Sequence, residues 1–98
     1  MEFLVRLTPR LPESQSEEER ATLFAAERTR GSDLRAEGKM RRMWRLPGTS
    51  SALLLWDVES PEELHALLSS MPVWQYCEVE ITPLIQHPVE AAVLEGAS

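Results

Sequence analysis

"KMRRMWRLPGTSSALLLWDV", residues 39–58, decides the fold. Residues 39–46 alternate, with Met40, Arg42, Trp44 and Leu46 on one side and Arg41, Met43 and Arg45 on the other, the period of a strand. "PGTSS", residues 47–51, breaks the run with turn-forming residues. "ALLLWDV", residues 52–58, is apolar on both sides, which marks a strand in the middle of a sheet rather than at its edge. Two strands joined so closely form a hairpin, and everything outside this stretch is arranged around it.

Before the hairpin lies "EFLVRLT", residues 2–8, alternating Phe3, Val5 and Leu7 against Leu4, Arg6 and Thr8, a first strand. A proline-bearing loop follows and ends in Ser16 with Glu19 three residues later, a capping-box start; Ser14 with Glu17 would serve equally. The helix it opens runs to about Glu37 and stops at Gly38. After the hairpin, Ser60, Pro61 and Glu63 start a second helix with the buried stripe Leu64, Leu67, Leu68 and Met71, and Pro72 stops it. "YCEVEITPLI", residues 76–85, is the last strand, and the tail from His87 is expected to be irregular or exchanged with a neighbouring subunit. The order β-α-β-β-α-β predicts an α+β, ferredoxin-like domain over residues 1–88, with a tail at 89–98. One antiparallel four-stranded sheet carries two helices on a single face. The other face holds apolar side chains of the third strand, so it is expected to meet a second subunit or a ligand.

Composition narrows the function classes. A chain of 98 residues makes one small domain, for which oligomerisation is a reasonable expectation. No apolar run approaches the roughly 18 residues of a membrane span, and the start "MEFLVRLTPR" lacks the pattern of a secretory leader, so the expectation is a cytoplasmic protein. One cysteine, Cys77, permits no internal disulfide and reads as a small core residue. Two histidines and no ligand spacing argue against a metal site, and no glycine-rich phosphate loop or dinucleotide fingerprint is present, so no cofactor is expected. The net charge is −6, yet all ten Lys and Arg lie at or before Arg45. An acidic total disfavours nucleic acid as a partner, whereas a local cluster of cations suits a small anion.

Three residues are candidates for chemistry. Glu27 lies four residues after Leu23, four before Gly31 and seven before Leu34, which puts it on the helix stripe that faces the sheet. Burying a carboxylate there raises its pKa, as a general base working near neutrality requires. Gly31, one turn later, leaves room for a small molecule. The competing reading puts Glu27 at the stripe's margin, paired with an arginine such as Arg45. Arg45 can itself take a substrate carboxylate in two parallel bonds; Arg41 and Arg42 read rather as partners of Glu78 and Glu80 or of another subunit. His65, just off the stripe of the second helix, is a further polar candidate, with no serine, cysteine or acid at triad spacing. Trp44, Trp56 and Trp74 read as core and interface mass.

"WRLPG" at 44–48, "WDVES" at 56–60, "ELHALLSSMPVW" at 63–74, "EVEITPL" at 78–84 and "HP" at 87–88, in that order and spacing, resemble the muconolactone delta-isomerase family. The opening "MEFLVRLT", the "LP" at 11–12 and the helix carrying Glu27 are similar as well, so the resemblance spans roughly residues 1–88. It implies sheet-to-sheet dimers, assembly into a decamer, and a cofactor-free shift of a double bond in an unsaturated lactone of aromatic-compound catabolism. It also implies Glu27 as the proton shuttle and Arg45 as the carboxylate anchor; His65 stands beside them as a polar candidate from its place on the second helix alone. Phe24 stands where members usually carry a lysine, and Gln86 where they carry an arginine. The alternatives are proton-transfer or cyclisation chemistry on a more apolar metabolite, and a non-catalytic oligomeric binding protein.

Overall fold

The computed structural model describes residues 1–96. Its strands are β1 (Glu2–Pro9), β2 (Met40–Arg45), β3 (Ala52–Asp57) and β4 (Cys77–Leu84); its α-helices are α1 (Glu17–Ala36), α2 (Pro61–Ser69) and α3 (Pro88–Gly96). A 3-10 turn, Trp74–Tyr76, leads into β4. The sheet order is β2-β3-β1-β4 with every pairing antiparallel, the ferredoxin-like arrangement in which each helix crosses over one intervening strand. No helix among the described residues is long and apolar enough to cross a membrane.

Local chemistry sets the helix ends. Ser16 caps α1: its Oγ accepts from the Glu19 amide at 3.0 Å, and the Glu19 carboxylate accepts from the Ser16 amide at 3.2 Å. Of the two capping boxes the sequence allows, the chain uses the later. Three acids in the first turn complement the positive end of the helix dipole. Past the other end, Gly38 adopts φ +77°, which its missing Cβ makes inexpensive. Ser60 accepts from the Glu63 amide at 3.1 Å and Pro61 fills the first turn of α2, as the sequence indicates.

The core lies between one sheet face and helices α1 and α2. Phe3, Val5 and Leu7 of β1 and Leu54 and Trp56 of β3 meet Leu34 of α1 and Leu64 and Leu68 of α2. β3 sits inside the sheet, flanked by β2 and β1, as its two apolar sides predict.

Two expectations need correction. Met40 faces Trp56 and Arg42 faces Leu55, so Arg41 is an extra residue on β2, a bulge. The bulge reverses the side-chain alternation: Met40 joins Met43 and Arg45 on the helix side, while Arg41 turns out to Asp57 at 3.3 Å. Arg41 and Arg42 cannot reach Glu78 and Glu80 across a sheet with β2 and β4 at opposite edges; Arg10 takes Glu78 at 2.9 Å, and Arg42 lies 5.3 Å over the Trp44 ring. The second correction concerns the tail, which is a helix, α3, rather than irregular over its described residues. Residues 97 and 98 of the expected tail lie outside them. Val89, Val93 and Leu94 of α3 are all more than half exposed, and Ile85 before it is 94% exposed.

Gly31 is buried on α1, has an ordinary helical φ, and has open space where a Cβ would stand. Gly31→Ala is therefore expected to raise unfolding stability by about 0.5–1 kcal/mol in a urea titration. Met40→Ala, at a fully buried position, is expected to lower it by about 2–5 kcal/mol.

Candidate active site

The space beyond Gly31 belongs to a cavity of about 880 Å³ between α1, the ends of β1 to β3 and the start of β4. Leu11, Phe24, Met43, Leu54 and Val73 give it a largely apolar wall. Its charged groups are Glu27, Arg20, Arg28 and Arg45. The sequence brings these together through two periodicities. Residues 20, 27 and 31 share a face of α1 by helical spacing, and the β2 bulge directs Met43 and Arg45 to the same side of the sheet.

Glu27 is half-buried here, and one carboxylate oxygen accepts from the Val73 amide at 3.1 Å. Val73 follows α2 and immediately precedes the 3-10 turn, so this bond ties α1 to the link between α2 and β4. Burial lifts the Glu27 carboxyl above its ordinary value of 4.5, and the Val73 bond only partly offsets the lift. No arginine partner stands in opposition: among the described residues Glu27 forms no ion pair, and the reading in which it pairs with Arg45 does not describe this structure.

Arg45 instead donates from Nη1 to the Ser50 carbonyl at 2.7 Å, which fixes its guanidinium across the hairpin. Every cation in an ion pair among the described residues lies elsewhere: the N-terminus and Arg41 on Asp57, Arg10 on Glu78, and Lys39 on Glu63. The cavity's three arginines have no carboxylate partner among the described residues. Such a site offers an anion a set of unspent donors and, beside them, one carboxylate primed to accept a proton.

Cys77 also lines the cavity, rather than serving only as core filling. Its thiol is pushed up to about 11, first by burial and then by the charge of Glu27, so it stays neutral beside that carboxylate. His65 does not reach the cavity. It is exposed on α2, its ring edge-on to Trp74 with centroids 5.9 Å apart. Sequence reasoning passed over Arg20, although its place seven residues before Glu27, two turns along the same stripe, was a usable signal. Among the described residues no group of three His, Cys, Asp or Glu side chains could hold a metal ion. A second, smaller depression of about 310 Å³ beside Met1, Lys39 and Asp57 is polar, and its charges are largely committed to the ion pairs already named.

The sequence and the fold are shared with known proteins. The family model described as muconolactone delta-isomerase matches residues 1–90. A muconolactone delta-isomerase of Acinetobacter baylyi is 35% identical over 88 residues, covering 90% of this chain and 92% of the relative. One from Rhodococcus opacus is 34% identical over 85 residues, covering 87% and 91%. A crystal structure of muconolactone isomerase superposes with a TM-score of 0.85 at 33% identity over 90% of this chain and 92% of that one. A 5-chloro-2-hydroxyhydroquinone dehydrochlorinase from Burkholderia phenoliruptrix, at 18% identity and a TM-score of 0.68 over 89% and 96% of the two chains, shares the fold. With a matching family model over nearly its whole length and relatives above 30% identity, this chain belongs to the muconolactone delta-isomerase family.

Proposed function

We propose that the protein is a cofactor-free isomerase that moves the double bond of muconolactone by proton transfer, giving the oxoadipate enol-lactone. The observation that carries this reading is the half-buried Glu27 carboxylate in a cavity where, among the described residues, neither it nor the three arginines form an ion pair. Glu27 takes a proton from the ring carbon that bears the carboxymethyl group. The C–H electron pair spreads through the conjugated ring onto the lactone oxygen as a dienolate. Glu27 then returns the proton to the carbon next to the carbonyl, so atoms and charge balance without a second reactant. Arg45, held by the Ser50 carbonyl, anchors the substrate carboxylate through its remaining donors. The neutral Cys77 thiol adds no competing negative charge. His65 has no part in this scheme.

We infer further that the catalytic domain comprises residues 1–88 and that the tail after it, through α3, joins copies of the chain in a cytoplasmic homo-oligomer, a dimer building to a decamer. The exposed apolar residues of α3 support this, as does the sheet face turned away from the helices, where Trp44, Leu53, Leu55 and Leu4 lie in adjacent positions. The principal extents, 54 × 27 × 21 Å, describe an elongated chain. The partner is another copy and the ligand a small anion, not nucleic acid or membrane.

With muconolactone as substrate, wild type is expected to turn over and Glu27→Gln to lose about 10²–10⁴-fold in kcat; equal rates in the two would overturn the role of Glu27. The acid limb of kcat/KM should lie above the ordinary glutamate range, because the base must be ionised and its folded-state pKa is raised. The same shift predicts the stability profile. A carboxyl whose pKa is higher in the folded state stabilises the fold below its ordinary value, and that contribution is lost as pH rises through the folded-state value. Chemical denaturation should therefore find Glu27→Gln gaining on wild type as pH rises from 4 to 7. Arg45→Gln is expected to raise KM about 10- to 100-fold with a smaller effect on kcat, the loss of a charge-assisted bond. Sedimentation should return a multiple of 11.1 kDa, reduced by Val93→Asp with Leu94→Asp.

A further inference from the structure

We propose that Arg20 is a catalytic residue of this site, the group that stabilises negative charge on the lactone oxygen as the dienolate forms. The inference rests on the proton-transfer reading of Glu27 and adds to it the electrophilic partner which that chemistry needs.

Arg20 sits in the first turn of α1, where the helix dipole disfavours a cation. Glu17, Glu18 and Glu19 precede it directly, yet none forms an ion pair with it, and the side chain lies along the cavity wall instead. Its Nη2 donates to the Pro12 carbonyl at 3.0 Å, so the loop before α1 fixes the guanidinium plane. Its Nε is buried and bonds to nothing among the described residues. The Gln15 backbone amide donates to the same Pro12 carbonyl at 3.1 Å, and Gln15 Oε1 is buried with no partner among the described residues, so it does not meet the Arg20 donor. A partly buried guanidinium with an unmet donor is an arrangement a folded chain avoids unless something else supplies the acceptor.

Charge balance says when that acceptor is needed. Muconolactone brings one carboxylate, which Arg45 accounts for. Once Glu27 has taken the proton, the carboxylic acid is neutral and the ligand carries a second negative charge on the lactone oxygen. Arg20 then faces a charge that the ground state lacks, and an interaction stronger in the transition state than in the substrate lowers the barrier. Arg28, the remaining cavity arginine, is exposed, whereas Arg20 is half-buried, where a charge is less screened by water. The seven residues from Arg20 to Glu27 span about 10 Å of helix, room for a five-membered ring between the two side chains.

The test compares wild type, Arg20→Lys and Arg20→Gln, with Arg35→Gln, exposed at the far end of α1, as a control. Arg20→Gln is expected to lower kcat about 100-fold with KM changed less than threefold, Arg20→Lys to retain part of the rate, and millimolar guanidinium ion to restore part of it in Arg20→Gln. A loss confined to KM, or an unchanged kcat, would overturn the proposal. A turnover-independent measurement runs alongside: titration calorimetry with ionised tetronic acid, a five-membered lactone enolate, and with neutral but-2-en-4-olide. Arg20→Gln should bind the enolate at least tenfold more weakly and the neutral lactone equally; equal binding of the enolate would refute the assignment. Should wild type fail to convert muconolactone while this difference in enolate binding persists, the substrate assignment falls and the role of Arg20 stands. Circular dichroism of each variant separates these effects from misfolding, and Arg20→Lys carries the test if Arg20→Gln does not fold.

Discussion

The hydrogen bond from the Val73 amide to the Glu27 carboxylate, at 3.1 Å, is the constraint on which the rest of the site depends. It holds a carboxylate inside a largely apolar cavity, where burial alone would favour the protonated acid. The amide lowers the carboxyl's pKa and burial raises it, with burial the larger effect. The result is a carboxyl that holds its proton to higher pH than an ordinary glutamate, the direction that general-base chemistry favours. The same bond makes α1 and the segment after α2 mutually dependent, so the two halves of the split βαβ motif meet at Glu27.

Around that carboxylate the cations divide into paired and unpaired. Asp57, Glu63 and Glu78 take the N-terminus, Arg41, Lys39 and Arg10 outside the cavity, whereas Arg20, Arg28 and Arg45 inside it form no ion pair among the described residues. A chain with net charge −6 can therefore carry a locally cationic pocket. Exposed ion pairs contribute little to stability, so their chief effect here is on which arginines remain available to a ligand. The cations of the basic strand thus differ in what holds them: Arg41 pairs with Asp57, while Arg45 bonds the Ser50 carbonyl and has no carboxylate partner among the described residues.

Much of this was legible without coordinates, because the relevant signals are local. Ser16 with Glu19, Ser60 with Pro61, and the two-sided apolar run of β3 each follow from chemistry within a few residues, and each element formed where that chemistry placed it. Glu27 was legible because 3.6-residue periodicity ties its direction to those of Leu23, Gly31 and Leu34. Arg20 follows the same periodicity but was missed, since an arginine in a helical first turn reads as ordinary surface. His65, just off the stripe of α2, is exposed with its ring against Trp74 and does not line the cavity, a separation that spacing along one helix does not reveal.

The amino-acid order by itself determined the element sequence, the helix caps, the central strand and the face on which Glu27 lies, because all of these depend on neighbours three or four positions away. Only the tertiary structure decided which face each residue of β2 occupies, since one extra residue at Arg41 inverts an alternation that sequence can only count. It also decided that Arg45 bonds a carbonyl and not Glu27, and that Pro88–Gly96 form a helix with none of its residues buried. Those outcomes depend on strand register and on which long side chains reach one another across the fold, distances that pattern along the chain does not encode.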